Sequence, residues 1–340
     1  ADILQARGQF DEAIRIYQEE VLPIFQKLGD VRSVAVIQGK IADILQARGQ
    51  LTEALRIYRE EELPVYQKLG DLRELAVSQS KIAGILQVRG QLDEALRIHQ
   101  EEVLPIFQKL GDVRLVAIAQ GQIAGILQVR GQLDEALRIH REEELPVYQK
   151  LGDVYSVAVA QGQIAEILQA RGQPDEALRI YQKDVLPIFQ KLGDVYSVAV
   201  ALGKIADILQ ASGQLDEAMH ILQEEELPVY QKLGDVRSVA VAQGKIAGIL
   251  QVRGQLDEAL RIYQEEVLPI FQKLGDVRSV AIAQGKIADI RQVRGQLDEA
   301  MCIYQEDVLP IFQKLGDVRS VAIIQDRIAD ILKAQSSSDE

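Results

Sequence analysis

The side chains that most often act as nucleophiles, proton-transfer groups or zinc ligands are rare in this chain, which has three histidines and one cysteine among 340 residues. His99 and His140 are separated by the same interval at which the tripeptide "RGQ" recurs, while His220 and Cys302 each stand alone. If that interval is one structural repeat, His99 and His140 lie about 10 Å apart. That spacing is too wide to share a zinc ion, whose ligands lie at ~2 Å. We therefore interpret the histidines as packing residues and Cys302 as an exposed thiol without a partner base.

Carboxylates are abundant, but the sequence gives no sign of a catalytic pair. No unit places two carboxyl groups in contrasting surroundings that would separate their pKa values. The acidic runs Glu60–Glu62 and Glu142–Glu144 are interpreted as a solvated outer face. Every glycine either ends a helix or lies inside one, so no phosphate-binding loop is expected. The sequence predicts no catalytic residue, no cofactor and no metal site, and therefore no enzyme.

Composition and net charge limit which binding partners and which cellular compartment fit this sequence. The formal net charge of −13 argues against binding to nucleic acid and is interpreted as a solubility feature. No apolar run approaches the roughly 20 residues that span a bilayer, so no membrane association is predicted. A single cysteine suits a reducing compartment, and we predict a cytoplasmic location. The chain opens without methionine inside a repeat, so we expect it to be a fragment of a longer protein.

The elements that position all these side chains are set by an internal repeat. The tripeptide "RGQ" recurs at a constant interval from Arg7 onwards, with Ser212 replacing arginine once. The predicted domain organisation is one array over 1–340. Its units are 1–41, 42–82, 83–123, 124–164, 165–205, 206–246, 247–287 and 288–328, followed by 329–340 as the end of a capping helix and tail.

A longer period, of two units, is superimposed on the first. The segment "VLPIF" alternates with "ELPVY", and only the last unit breaks the rule. The aromatic residues that mark the alternation are Phe25, Tyr66, Phe107, Tyr148, Phe189, Tyr230 and Phe271, with Phe312 as the exception. Part of the array therefore looks like duplicated pairs, so sameness between units can record copying rather than function.

Each unit reads as two helices. Asp71 with Glu74 forms a predicted capping box, and equivalent aspartates cap the first helix of the other units. The first helix, A, is predicted over about 31–48, with Gly49 as the left-handed residue that ends it. The second helix, B, is predicted over about 51–69 and also ends at a glycine.

The Leu–Pro dipeptide inside helix B conflicts with a regular helix. Pro64 lies more than ten residues into it, where proline removes one hydrogen bond and clashes with the preceding turn. Two interpretations remain: a continuous helix kinked at proline, or a break followed by a new helix. We favour the kink because, around the equivalent Pro269, Leu268, Phe271 and Leu274 continue the apolar stripe.

The segment "ILQVRGQLDEALRIY" (249–263) resembles the centre of a tetratricopeptide repeat. The positions that match this family in order are Ile246, Ala247, Leu250, Gly254, Ala259 and Tyr263. The unit is longer than the usual repeat of about 34 residues, so it is similar to the long variant of kinesin light chains and Pins-type adaptors. The resemblance implies an all-α, right-handed solenoid, a superhelix of eight helix-turn-helix units plus a C-terminal capping helix. Similar arrays occur in bacterial signalling proteins, and this chain is interpreted as a fragment of a bacterial tetratricopeptide-repeat protein.

Two glycines lie inside helix A, although each lowers the stability of the helix by ~1 kcal/mol relative to alanine. At 100° per residue Gly244, Gly248 and Gln251 share one stripe, away from the core positions Ile246 and Leu250. The resemblance implies that this stripe lines a concave groove. Small residues there would leave backbone exposed to a guest chain.

The groove is the predicted protein- or peptide-binding site. Tyr155 and Tyr196 replace arginine near the start of helix A and are candidate anchors. The candidate residues are Tyr155, Tyr196, Gln128, Gln169, Gln210, Gln251, Glu166, Asp207, Gly162, Gly203, Lys204 and Lys245. Two alternatives remain open: the stripe varies by neutral drift, or the glutamines only bond one repeat to the next.

Three functions fit this sequence. The first is a scaffold for protein–protein interaction through the groove. The second is a self-assembling structural array, with end-to-end contacts through an uncapped N-terminus at Ala1–Arg7. The third is the sensor or regulatory arm of a larger signalling NTPase.

Overall fold

The computed structural model describes Leu4 and residues 9–336, and within these residues the chain consists of helices joined by short turns, without strands. We call the two helices of each unit the A helix and the B helix. The A helices are Val31–Ala47, Leu72–Val88, Val113–Val129, Val154–Ala170, Val195–Ala211, Val236–Val252, Val277–Val293 and Val318–Ser336. The predicted all-α repeat of helix pairs is confirmed over the described residues.

Each B helix consists of an α-helical segment, a π-helical turn and a second α-helical segment. The first α-helical segments are Phe10–Arg15, Leu51–Ile57, Leu92–Arg97, Leu133–Arg138, Pro174–Ile180, Leu215–His220, Leu256–Arg261 and Leu297–Cys302. The π turns are Ile16–Val21, Tyr58–Glu62, Ile98–Val103, Ile139–Glu144, Tyr181–Val185, Ile221–Glu226, Ile262–Val267 and Ile303–Val308. The second α-helical segments are Leu22–Leu28, Leu63–Leu69, Leu104–Leu110, Leu145–Leu151, Leu186–Leu192, Leu227–Leu233, Leu268–Leu274 and Leu309–Lys314.

The chain forms two compact units, Ala1–Gln173 and Pro174–Glu340. Among the described residues, each compact unit holds four complete B helices and four A helices. The predicted exposed end at Ala1–Arg7 lies outside the described residues except for Leu4. Residues 337–340 of the predicted tail lie outside them too.

The ends of the A helices follow the sequence prediction closely. The Asp30 carboxylate accepts the Ser33 backbone N–H at 3.0 Å and also the Ser33 hydroxyl at 2.7 Å. The Asp71 carboxylate likewise accepts the Glu74 N–H at 3.3 Å. The Asp71 backbone N–H, however, donates to the Tyr66 carbonyl of the preceding B helix. In a capping box this N–H would donate to the Glu74 side chain, so the predicted capping box is only half formed. The predicted glycine stops are confirmed, with φ of 75° at Gly49.

The B helix continues through its Leu–Pro dipeptide. Leu63, just before Pro64, donates its N–H to the Tyr58 carbonyl five residues back, and Glu62 keeps helical angles of −92° and −55°. The wider π turn moves the carbonyls that would otherwise clash with the proline ring, so the helix continues although Pro64 itself donates no hydrogen bond. The preferred continuous helix is therefore right, and the disturbance it contains is a π turn.

The π turn also changes which side chains face inward after it. Val267 and Phe271 are buried, whereas Leu274 is 45% exposed, although the regular stripe predicts it in the core. An extra residue in one turn rotates the following side chains by about 100°. The residue at the end of each π turn therefore points towards the A helix.

Small residues allow the A and B helices to pack closely. Ala247 on the A helix and Ala259 on the B helix are fully buried, and Tyr263 is 4% exposed. Five of the six positions that carry the family resemblance are therefore core positions, and the sixth, Gly254, is the exposed turn glycine. Burying such side chains is the main stabilising contribution in this fold.

Arginines near the starts of the A helices connect neighbouring repeats. Arg237 bonds the N-cap carboxylate of Asp276 in the next repeat at 2.6 Å. The same link joins Arg32 to Asp71, Arg73 to Asp112, Arg114 to Asp153 and Arg278 to Asp317. Tyr196 stands at the equivalent position and instead packs its ring edgewise on Tyr230, at 5.8 Å between centroids.

Candidate functional site

The predicted groove residues lie on the A helices of both compact units. In 1–173, Tyr155 is 47% exposed, and the half-buried candidates are Gln128, Gly162, Glu166 and Gln169. In 174–340, Tyr196 is 48% exposed, and the half-buried candidates are Lys204, Asp207, Gln210, Lys245 and Gln251. Gly203 is buried.

A cavity of about 360 Å³ lies beside Gly244 and Gly248 in 174–340. Its apolar lining comes from Tyr263, Val267 and Phe271 of the B helix and from Ile282 and Val241 of two A helices. Its polar lining includes Gln210, Lys245 and Lys286. The sequence prediction includes Gln210 and Lys245, whereas the side chains of the B helix and Lys286 are not among its candidates.

The two glycines explain why this cavity is open. A Cβ added at Gly244 would lie 3.8 Å from Cε1 of Tyr263, and one added at Gly248 would lie 3.8 Å from its hydroxyl oxygen. A longer side chain at either position would enter the cavity. The Tyr263 hydroxyl donates to the Gly244 carbonyl at 2.9 Å, which holds the ring at the cavity wall.

Further cavities continue from this one along the A helices of 174–340. A cavity of about 200 Å³ lies one repeat further on, beside Gly285 and Tyr304, and shares Ile282 and Lys286 with the first. Another, of about 610 Å³, shares Gln210, Gly248 and Lys286 with the first and is also lined by Gln251 and Gln292. We call these connected cavities the A-helix groove. The predicted row of glutamine amides therefore borders an open groove in this compact unit.

Not every glycine of the stripe leaves the backbone open: the prediction is wrong at Gly203, and the equivalent Gly39 and Gly121 are covered in the same way. A Cβ at Gly39 or Gly121 would lie 2.5 Å from a carboxylate oxygen of Glu62 or Glu144. At Gly203, Glu226 occupies the same place. Gly203 is therefore covered by a glutamate and offers no exposed backbone to a ligand.

Whether the space beside the A-helix glycine is filled or open depends on the residue that ends the π turn. It is glutamate in the "ELPVY" repeats and valine in the "VLPIF" repeats. Glu226 extends across the A helix and fills the space above Gly203, whereas the shorter Val267 leaves the space beside Gly244 open. The space is thus filled at Gly39, Gly121 and Gly203, where glutamate ends the π turn, and open at Gly244 and Gly285, where valine ends it.

The predicted solvated acidic face is wrong for the last glutamate of each run. Glu62 and Glu144 are each 5% exposed, while Glu60 and Glu142 are exposed as predicted. Burial raises the pKa of Glu62 to about 7, opposed by the charge of Lys81 and reinforced by that of Asp43. Burial also raises the pKa of Glu226 to about 7. The expectation that no unit places carboxyl groups in contrasting surroundings is therefore wrong, because Glu62 is buried and Glu60 is exposed.

His99 and His140 are packing residues, as predicted, whereas His220, at the end of the segment Leu215–His220, is exposed, so the prediction is wrong for it. His99 is 1% exposed, and burial lowers its pKa to about 4. His140 is fully buried, with Nδ1 2.5 Å from Oε2 of Glu144, a pair that sequence reasoning missed. Cys302 is exposed, as predicted. Within the described residues, no group of three side chains is arranged to hold a metal ion, and no helix is long and apolar enough to cross a membrane.

We predict opposite effects for alanine at two glycines of the A helix Val113–Val129. Gly125→Ala should stabilise the fold by about 1 kcal/mol, because the added Cβ meets nothing within 4 Å and alanine favours helix. Gly121→Ala should lower stability, because its Cβ displaces the Glu144 carboxylate from His140. Urea denaturation of both variants measures the difference. An equal gain in both would show that Glu144 is not seated over Gly121.

We predict that the buried glutamates make stability fall as pH rises. Because the folded-state pKa of Glu62 and Glu226 is raised from 4.5 to about 7, their protons stabilise the fold fully below about pH 4.5. That stability is lost as the pH rises through 7. The free energy of unfolding of the doubly substituted variant Glu62→Gln, Glu226→Gln, taken relative to wild type, should therefore be higher at pH 8 than at pH 5. The expected increase is on the order of a few kcal/mol.

Urea denaturation at both pH values tests this, with the exposed Glu60→Gln as the matched control. The control should leave the pH profile of wild type unchanged. Parallel profiles for wild type and the double variant would contradict the burial argument.

Comparisons with known proteins agree on the repeat. A family model described as tetratricopeptide repeat matches residues 115–183 and 156–225. No curated protein matches the chain by sequence. The following solved structures are similar to it.

A Rap protein complexed with competence and sporulation factor is 17% identical, with a TM-score of 0.57 over 97% of this chain and 85% of that one. A signal transduction ATPase with a tetratricopeptide repeat sensor from Pyrococcus horikoshii is 14% identical, with a TM-score of 0.60 over 96% of this chain and 54% of that one. A putative kinesin light chain from Podosopora anserina is 26% identical, with a TM-score of 0.47 over 58% of this chain and 95% of that one.

The family match falls on two consecutive pairs of units, and the same sequence pattern with the same buried positions continues on both sides of them. The helix pairs, the glycine stops and the small residues between the helices are those the family resemblance implies. A tetratricopeptide-repeat model therefore matches residues 115–225 of the chain, and the helix pairs on both sides of that segment repeat its pattern.

Proposed function

We propose that this chain is a protein-interaction scaffold that holds a segment of a partner protein along the A-helix groove. Tetratricopeptide repeats generally mediate protein–protein interaction, and the fold is usually non-enzymatic. The observation that carries the proposal is the A-helix groove itself, whose cavities join over three successive repeats of 174–340. A groove of this length suits a segment of chain better than a compact small molecule.

The lining of the groove matches what an extended or helical segment needs. Glutamine amides at Gln210, Gln251 and Gln292 can each donate to a carbonyl and accept from an N–H of a guest backbone. Between them, the apolar cavity beside Tyr263 can take a side chain. Main-chain hydrogen bonds with alternating side-chain pockets are a common mode of peptide recognition.

Tyr155 and Tyr196 support the same proposal. Each leaves about half of its surface exposed at a position where other repeats carry an arginine bonded to the next repeat. Exposed tyrosines often anchor a protein interface because a rigid ring covers a large area at low entropic cost. We propose a reducing compartment such as the cytoplasm, because the one cysteine is exposed and unpaired.

A sensor arm of a signalling NTPase is a second candidate. The similarity to the Pyrococcus horikoshii ATPase, whose sensor is a tetratricopeptide repeat and of which this chain covers 54%, favours it over self-assembly. It does not compete with the first proposal, because a sensor arm would also bind its signal through the groove.

Affinity capture from a lysate of the source organism tests the scaffold proposal. The immobilised wild type is compared with a groove variant in which Tyr196, Gln210, Gln251 and Gln292 are alanine. The matched control replaces four exposed B-helix residues by alanine: Glu101, Gln108, Glu142 and Gln149. Circular dichroism verifies that both variants fold.

We expect a protein retained by wild type and by the control but lost from the groove variant. Loss from the control alone would move the binding surface to the B helices. Equal retention by all three proteins would contradict binding in the groove.

A further inference from the structure

A second charged link joins neighbouring A helices in several repeats. Lys81 bonds the carboxylate of Asp43 in the preceding repeat at 2.8 Å. Lys245 bonds Asp207 in the same way at 3.0 Å, and Arg327 lies 3.7 Å from Asp289. The separation between acid and base along the chain is the same in all three cases. We call this the acid–base link.

In most repeats the two members of the link change together. Where glycine replaces the acid, at Gly84 and Gly125, the matching base is replaced by Gln122 or Gln163, which is uncharged. The exception is Gly248, whose matching position still carries a cation, Lys286. Lys286 is therefore the base of an acid–base link whose acid the chain does not supply.

The surroundings of Lys286 agree with this pattern. Its side chain is 48% exposed, and its ion pair among the described residues is with Asp289 on its own helix, at 3.8 Å. Asp289 is already engaged, because it accepts the Tyr304 hydroxyl at 2.6 Å and lies near Arg327. The ammonium group is thus held at the rim of the cavity without a close partner.

The tyrosine of the B helix indicates where the carboxylate of a complete acid–base link would lie. In two other repeats this tyrosine donates its hydroxyl to the acid of the link: Tyr58 to Asp43 and Tyr304 to Asp289. Tyr263 is equivalent, but with glycine at 248 its hydroxyl bonds a backbone carbonyl instead. The Tyr263 hydroxyl lies 3.8 Å, and the Gln210 amide nitrogen 3.9 Å, from a Cβ built at Gly248.

An apolar space adjoins this place. The 360 Å³ cavity is lined by Val267, Phe271 and Ile282 next to Lys286 and Tyr263. It is open here because the π turn ends in valine rather than in the glutamate that fills the equivalent position over Gly121 and Gly203. Two independent replacements, glycine for acid and valine for glutamate, therefore produce one site with a cation at its rim and an apolar interior.

We propose that this site binds an acidic residue of the partner segment together with its apolar neighbour. The guest carboxylate takes the place that Asp43 holds in its own repeat, pairing with Lys286 and accepting the Tyr263 hydroxyl, and the apolar side chain enters the cavity. The occupant is an internal peptide segment, because the groove continues past the site on both sides. The proposal rests on the scaffold function proposed above and adds the chemistry of the ligand.

Selection of short random peptides displayed on phage tests the site without knowing the partner. Wild type is the bait, and the enriched peptides are synthesised and titrated against wild type and its variants. We expect an Asp or Glu beside a Leu, Ile or Phe among the enriched sequences. Lys286→Gln should weaken their binding about tenfold, the loss of one charge-assisted bond.

Gly248→Asp is the sharpest variant, because it restores the acid that the other repeats carry. It should abolish binding of the selected peptides while keeping the helical circular dichroism and raising the melting temperature. Lys232→Gln, an exposed lysine on a B helix, is the matched control and should bind as wild type does. If Gly248→Asp fails to fold, Lys286→Gln and Tyr263→Phe carry the test.

The outcomes separate this inference from the scaffold function. Peptides that lack an acidic–apolar pair, or that bind Gly248→Asp and Lys286→Gln as tightly as wild type, overturn the inference and leave the scaffold function standing. Failure to select any peptide on wild type overturns both.

Discussion

The Leu–Pro dipeptide in each B helix is the constraint on which the rest of the structure depends. Proline cannot donate a backbone hydrogen bond, and the helix accommodates it by widening one turn to the π form. That turn rotates the residue at its end towards the A helix, where only glycine leaves room for a long side chain. Glutamate there fills the space and becomes a buried carboxyl group, whereas valine leaves a cavity. The identity of a single B-helix residue therefore decides whether a repeat is closed or open to a ligand.

Charged links add a second level of control over the same surface. Arginine to an N-cap aspartate and lysine to an A-helix aspartate both join one repeat to the next. Exposed ion pairs of this kind contribute little stability each, about 0–1 kcal/mol. Their larger effect is on which polar groups remain available: a repeat that keeps both members of a link offers none, and one that keeps only the base offers a cation. The chemistry of the groove follows from which links are complete.

Most of the fold could be predicted from the sequence, because the repeat multiplies each local signal. Aspartate caps, glycine stops and buried alanines such as Ala247 appear where periodicity and the family resemblance place them. The candidate site was harder to predict from the sequence. A helical wheel places Gly203 and Gly244 on the same stripe but cannot show that Glu226 crosses from another helix to cover only the first. Lys286 could have been found from sequence, since it is the base whose acid is missing at the matching position of the preceding repeat.

The distribution of the charged links has a consequence for mechanical behaviour. In a linear array each repeat contacts only its neighbours, so the links between two repeats determine how firmly they are joined. Here the first described A helices of 1–173 and the last ones of 174–340 are each joined by both kinds of link: Arg32–Asp71 with Asp43–Lys81, and Arg278–Asp317 with Asp289–Arg327. Between Val236–Val252 and Val277–Val293 the Arg237–Asp276 link is present, but the acid–base link lacks its acid. The joints that carry only one of the two links, including the joint beside the open cavity, are therefore expected to bend more easily than the joints that carry both.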